Sequence, residues 1–104
     1  MSILQRLQHW YLEECNEDWE HTYGIKIDNI DNPGWVVTID LLDTYLFGKD
    51  FKEVQIQRED ENDWILCKVK NGKYEGIGGP LNLEEVLVIF LDWAETLKTE
   101  YGYS

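Results

Sequence analysis

The spacing of apolar residues changes twice along the chain, and this change constrains the fold more than any other feature. Near the N-terminus the apolar residues recur at helical intervals, as in Leu4, Leu7, Tyr11, Leu12 and Cys15. Between residues 23 and 77, apolar and polar residues alternate, which is typical of strands that bury one face. From residue 83 the helical spacing returns. The sequence therefore predicts a helix, a series of strands and a second helix.

Turn sequences separate the predicted strands. Residues 31–34 (Asp-Asn-Pro-Gly) favour a turn because Pro fixes φ and Gly tolerates a positive φ. Asn71-Gly72 favours a two-residue hairpin loop. Asn82 is suited to the N-cap of the second helix, because its side chain can accept a hydrogen bond from the first turn. The predicted elements are a helix over residues 3–15, strands over 23–30, 35–42, 51–58, 64–70 and 73–77, an irregular segment over 43–50, and a helix whose apolar stripe runs from Leu83 to Leu97.

These elements predict an α+β fold. We expect an N-terminal helix, a four- to five-stranded antiparallel meander sheet and a C-terminal helix. Both helices should lie on one sheet face, because each apolar face needs a partner. The opposite sheet face is then open to water. The 104 residues match the size of one domain, and the 43% apolar content is enough for a core. We therefore predict a single domain over residues 1–104.

The chain is strongly acidic, since 21 Asp and Glu against 9 Lys and Arg give a formal charge of −12. This sign is unfavourable for binding nucleic-acid phosphates or an anionic membrane surface. No stretch approaches the roughly 20 apolar residues of a membrane span, and the N-terminus lacks the pattern of a signal peptide. We expect a cytoplasmic protein without nucleic-acid or membrane partners, in which Cys15 and Cys67 are reduced thiols.

Acidic residues are densest over residues 13–20, here called the acidic segment, where a tryptophan lies among them. A solvated loop is one interpretation of such a segment. A docking surface for a basic partner is the other, because acidic fields accelerate association with basic proteins. Trp19 could anchor that contact or could instead cap the core. The predicted binding residues are Glu13, Glu14, Glu17, Asp18, Trp19 and Glu20, with Asp28 and Asp40 on the open sheet face as support.

Signals for catalysis and metal binding are weak. Cys15 and His21 form only a loose thiol and base pair across a loop, and a buried structural role is the simpler interpretation of Cys67. The two cysteines and two histidines lack the spacing of a zinc site. The glycine-rich residues 76–80 lead into a helix whose acidic first turn repels phosphate, so we assign these glycines to backbone geometry. We predict no cofactor, no metal and no enzymatic activity, with a thiol-dependent enzyme of the sulfurtransferase type as an alternative.

A set of short motifs extends in order over most of the chain, namely Leu7-Gln8-His9-Trp10-Tyr11, Cys15, Asp18-Trp19-Glu20-His21, Tyr23-Gly24, Asp31-Asn32-Pro33-Gly34-Trp35, Ile39-Asp40-Leu41, Asp63-Trp64, Cys67-Lys68-Val69, Gly76-Ile77-Gly78-Gly79-Pro80 and the helix from Leu83 to Trp93. Together these motifs resemble the immunity protein 53 family over residues 4–95. The resemblance implies a small cytoplasmic protein of a bacterial polymorphic toxin system, which neutralises a toxin domain delivered by neighbouring cells. It implies binding without catalysis, and it supplies no catalytic residues.

We therefore predict an immunity protein that binds a cognate toxin domain. The expected toxin is basic, such as a nuclease, because the chain is acidic. Silencing such an enzyme at low concentration requires a Kd of ~1 nM or tighter, which is about −12 kcal/mol. The free chain is expected to be a monomer or a weak homodimer. A general acidic interaction module is the remaining alternative, and it predicts binding to many basic proteins with steep salt dependence.

Overall fold

The computed structural model describes residues 1–100, so the last four residues of the predicted domain lie outside the described part of the chain. The predicted α+β order of helix, strands and helix is confirmed. The short second helix was not predicted from the sequence. The elements are α1 (Ile3–Glu14), α2 (Trp19–Thr22), β1 (Ile25–Ile30), β2 (Gly34–Asp40), β3 (Val54–Gln57), β4 (Trp64–Lys70), β5 (Lys73–Gly78) and α3 (Leu83–Glu100).

The five strands form one antiparallel sheet in the order β1-β2-β5-β4-β3. The meander order is wrong at one connection, because β5 rather than β3 lies beside β2. Residues 41–53, here called the crossing segment, run from the end of β2 to the far edge of the sheet. Burial of apolar side chains stabilises this path of the crossing segment. Leu46 is fully buried, and the rings of Phe51 and Tyr74 lie 5.7 Å apart. The crossing segment is therefore part of the core rather than a solvated loop.

The buried face of α1 differs from the predicted stripe. Leu4 and Leu12 were expected inside, but they are 65% and 68% exposed. Instead α1 directs Trp10 into the core, where its ring meets the rings of Trp19 and Phe90 edge to face at 5.7 and 4.9 Å. Burying an indole removes more apolar surface from water than burying a leucine, and this difference sets the rotation of the helix.

The predicted apolar stripe of α3 is confirmed, and α3 packs directly on the sheet. A Cβ atom on Gly76 would lie 2.2 Å from Cγ1 of Val86, so glycine is required for this close approach. The Tyr74 hydroxyl donates a 2.7 Å hydrogen bond to the Val86 carbonyl. α1 packs beside α3, and both helices therefore lie on one sheet face, as predicted. The shared core includes Val37, Ile39, Ile65, Cys67, Tyr74, Val86, Leu87, Phe90, Leu91 and Ala94.

A polar network joins the start of α3 to the end of the sheet. Arg58 donates hydrogen bonds to Asp63 at 2.9 Å and to both carboxylate oxygens of Glu85 at 3.0 and 2.7 Å. Asn82 precedes α3 and its main-chain carbonyl accepts from Val86. The predicted side-chain cap is wrong, because the Asn82 amide donates to Asp63 and Glu85 while its Oδ1 atom is buried without a hydrogen-bond donor. Two carboxylates next to the amide explain this orientation, since each needs a donor.

None of the helices in residues 1–100 combines the length and the apolar character needed to cross a membrane.

Candidate functional site

The acidic segment is held by hydrogen bonds between its own residues. The Asn16 side chain accepts from the main-chain N–H groups of Asp18 and Trp19 at 3.0 and 2.9 Å. The Glu20 carboxylate accepts from the N–H groups of Asn16 and Glu17 at 2.9 and 2.8 Å. Hydrogen bonds from its own N–H and from these two neighbours lower the pKa of Glu20. Glu20 therefore stabilises the turn before α2.

Trp19 is fully buried. Its ring packs on Trp10 at the edge of the core and also lies 5.7 Å from the ring of Tyr11. Of the two interpretations of Trp19, the structure matches the one in which it caps the core. The acidic segment consequently offers no exposed tryptophan on its surface.

The remaining carboxylates of the acidic segment occupy three different environments. Glu13 forms an ion pair with Lys98 of α3. Glu14 is half-buried, and burial raises its pKa to about 7. Glu17 and Asp18 are exposed, and their side chains form no ion pair with any residue in 1–100. These two carboxylates are therefore the ones most open to a partner.

The acidic segment belongs to a larger acidic surface. Residues 3–22 and 83–100, here called the helical layer, contain ten acidic residues and two basic ones. Arg6 of α1 bridges to Asp92 and Glu95 of α3 at 2.9 and 2.8 Å, which aligns the two helices. These hydrogen bonds raise the pKa of Arg6, with Glu95 contributing most. Both basic residues of the layer are thus paired internally, and a large acidic excess remains.

Asp28 and Asp40 lie apart from the acidic segment. Both point to the sheet face opposite the helices, since they alternate with the inward residues of β1 and β2. Asp40 is half-buried, accepts a 2.9 Å hydrogen bond from the Gly24 N–H, and lies 3.8 Å from the Lys73 ammonium. Asp28 is exposed. The eight predicted binding residues are therefore divided between two surfaces.

The sheet face opposite the helices, here called the open sheet face, carries a feature that the sequence analysis missed. Val36, Ile77 and Leu66 are aligned across β2, β5 and β4 and form a continuous apolar row. All three side chains are half-buried. The alternation in β2 places Val36 on the same face as Asp40. Its apolar neighbours on β5 and β4 can be identified only once the strand order is known.

The two cysteines are free thiols in different environments. Cys67 is fully buried in the core, and burial raises its pKa. The Cys15 thiol donates to the main-chain carbonyl of Tyr11 at 3.2 Å rather than to an imidazole. Within residues 1–100, no group of three or more His, Cys, Asp or Glu side chains is arranged to hold a metal ion.

Comparison with known proteins supports the resemblance seen in the sequence. The model of the family described as immunity protein 53 matches residues 4–95, which is most of the chain. No curated protein and no solved structure matches the chain. Taken with the predicted α+β order that the structure confirms, the family match shows that the chain belongs to the immunity protein 53 family.

Proposed function

We propose that the chain neutralises a cognate bacterial toxin domain in the cytoplasm by tight, non-catalytic association. The family match over residues 4–95 is the observation that carries this proposal. The core position of Cys67 and the hydrogen bond from Cys15 to a main-chain carbonyl give no support to a thiol-dependent enzyme. One chain binding one toxin domain is the expected stoichiometry.

The charge of the helical layer favours a basic toxin, of which a nuclease is one class. Ten acidic residues against two basic ones create a field that attracts cations over a distance of about 8 Å at physiological salt. Glu17 and Asp18 are exposed at the end of this layer. We assign them to the first contact with the toxin, while Glu13, Glu14 and Glu20 contribute charge from more constrained positions.

The proposal is tested by capture of the toxin. A tagged chain is recovered from its host, washed at high salt, and the retained proteins are identified by mass spectrometry. A single stoichiometric partner that matches the C-terminal domain of a large secreted protein supports the proposal. An empty eluate, with the toxin gene expressed, contradicts it, and many basic partners that dissociate with salt indicate a general acidic module instead.

The contribution of Glu17 and Asp18 is tested on the captured toxin. The double variant Glu17→Lys, Asp18→Lys should lower the association rate and raise Kd, because steering depends on the local field. The matched control is Glu59→Lys, Glu61→Lys, which makes the same charge change in an exposed turn of the sheet. Equal association rates for both double variants contradict the assignment of these two residues.

A further inference from the structure

The open sheet face has an apolar centre. The strand register places five residues in one line across the sheet, in the order Asp28, Val36, Ile77, Leu66 and Gln55. The three central residues are apolar, and the two end residues are polar. Ile30 and Trp64 also point to this face, as half-buried residues next to the line. The apolar row is therefore broadened on one side.

This arrangement differs from an ordinary solvent-facing sheet. In such sheets outward positions are mostly polar. Most outward positions are polar here as well, but the apolar ones lie side by side across the central strands. Five inward residues of the central strands are fully buried under the helices, namely Val37, Ile39, Ile65, Cys67 and Tyr74, whereas every outward residue of β1–β5 except Gly34 is at least partly exposed. Contiguous partly exposed apolar side chains with a polar rim are typical of protein–protein interfaces.

Charges on the rim of the face differ between its two sides. Asp28 and Asp40, together with Lys26, lie on the β1 and β2 side, where Asp40 is 3.8 Å from Lys73 of β5. Lys68, Lys70 and Lys73 lie on the β4 and β5 side, where Lys68 is 3.9 Å from Glu75. A partner that fits the face therefore presents an apolar patch with a basic group on one side and an acidic group on the other.

We propose that the open sheet face is the apolar centre of the toxin interface, with the apolar row formed by Val36, Ile77 and Leu66 as its anchor. This inference rests on the proposed function. A complex with a Kd near 1 nM needs desolvated apolar contacts, because exposed charges contribute mainly to rate and selectivity. The acidic segment cannot supply them, since its tryptophan is fully buried.

The occupant is thus the cognate toxin domain, oriented by the charges on the rim. Its basic side faces Asp28 and its acidic side faces Lys70. The helical layer attracts the toxin, and the open sheet face holds it. Two of the binding residues expected from the sequence, Asp28 and Asp40, belong to this face.

The test uses the toxin domain that the wild-type chain captures, prepared as an inactive variant. Ile77→Lys should raise its Kd at least about tenfold, since truncating or charging a central anchor commonly has this effect. Lys70→Glu, at an exposed position, should raise Kd several-fold by opposing the acidic side of the toxin. The comparison variant is Leu4→Lys, which makes an apolar-to-lysine change on α1 at a site 65% exposed. It weakens the acidic field of the helical layer by one charge and should raise Kd much less than Ile77→Lys does.

Circular dichroism and thermal melting establish that each variant is folded, and Lys70→Glu keeps the test valid if Ile77→Lys does not fold. Unchanged affinity in the folded variants overturns the inference while leaving the proposed function intact. Loss of affinity in Leu4→Lys alone places the interface on the helical layer and also overturns it. A dimer of the free chain that Ile77→Lys dissociates, with toxin affinity unchanged, assigns the face to self-association. Failure of the wild-type chain to capture any toxin overturns the proposed function and this inference together.

Discussion

The helical layer and the open sheet face carry charge in contrasting ways. The helical layer has ten acidic and two basic residues, so its field has one sign. The open sheet face has nearly balanced charge around an apolar centre, with Lys26, Lys68, Lys70 and Lys73 against Asp28, Asp40 and Glu75. One surface acts at a distance, and the other is suited to close contact. A net charge of −12 therefore describes only part of the molecule.

The contrast between the two surfaces requires that Trp19 stabilises the core and does not contact a partner. Trp19→Ala should lower the free energy of unfolding by about 3–5 kcal/mol, because a fully buried indole is replaced by a cavity. Urea denaturation followed by circular dichroism measures the loss. Leu12→Ala, at a site 68% exposed, is the control and should change stability little. A Trp19→Ala chain that keeps full stability but loses toxin binding shows instead that the indole belongs to the docking surface.

A second prediction concerns Glu14 of the helical layer, because burial makes its ionised form unfavourable. The pKa of Glu14 is raised to about 7 by burial, above its ordinary value in the unfolded chain. Between pH 4.5 and 7 the folded state therefore binds more protons than the unfolded state, and stability falls as pH rises. Glu14→Gln removes this dependence, so it should stabilise the chain by about 1–2 kcal/mol at pH 8 and much less at pH 4.

Thermal melts across this pH range measure the effect of Glu14→Gln. The control is Glu17→Gln, which removes an exposed carboxylate of the same segment and should change stability little at any pH. A pH profile of Glu14→Gln that is parallel to that of the wild-type chain contradicts the assignment to burial.

The smallest expected effect concerns the network that joins the sheet to the helical layer. Hydrogen bonds from Arg58 lower the pKa of Glu85, and those from Asn82 and Arg58 lower the pKa of Asp63. Their contribution to stability is present at neutral pH and is lost as pH falls through these lowered values. Arg58→Gln should decrease Tm slightly at pH 7, and the difference should shrink at acid pH. A difference that grows on acidification is inconsistent with this network.

The positions of the helices and strands were predicted from the sequence more accurately than the faces that they bury. The bounds of β4 were predicted correctly because alternation and Asn71-Gly72 agree on them. The stripe of α3 was also correct, since its apolar residues are numerous and regularly spaced. The buried face of α1 was predicted incorrectly, because apolar residues occupy most of the circumference of that helix. Only tertiary packing determines that Trp10 is buried and Leu12 is exposed.

The site was predicted less completely than the fold, for a related reason. The acidic segment could be located from charge density, but the burial of Trp19 and the hydrogen bonds of Glu20 depend on how the turn before α2 closes. The apolar row depends on β2 lying beside β5, which are far apart in sequence. Neither local propensity nor alternation specifies that pairing.

The crossing segment has a consequence for the order in which the open sheet face is assembled. It divides the sheet into a β1–β2 hairpin and a β3–β4–β5 unit, each formed by contacts between neighbours in sequence. Val36 belongs to the first unit, whereas Ile77 and Leu66 belong to the second. The apolar row therefore exists only after β2 has joined β5, so a half-assembled chain does not present it. If the toxin binds this row as proposed, it would also hold the two units together, and neutralisation would coincide with completion of the fold.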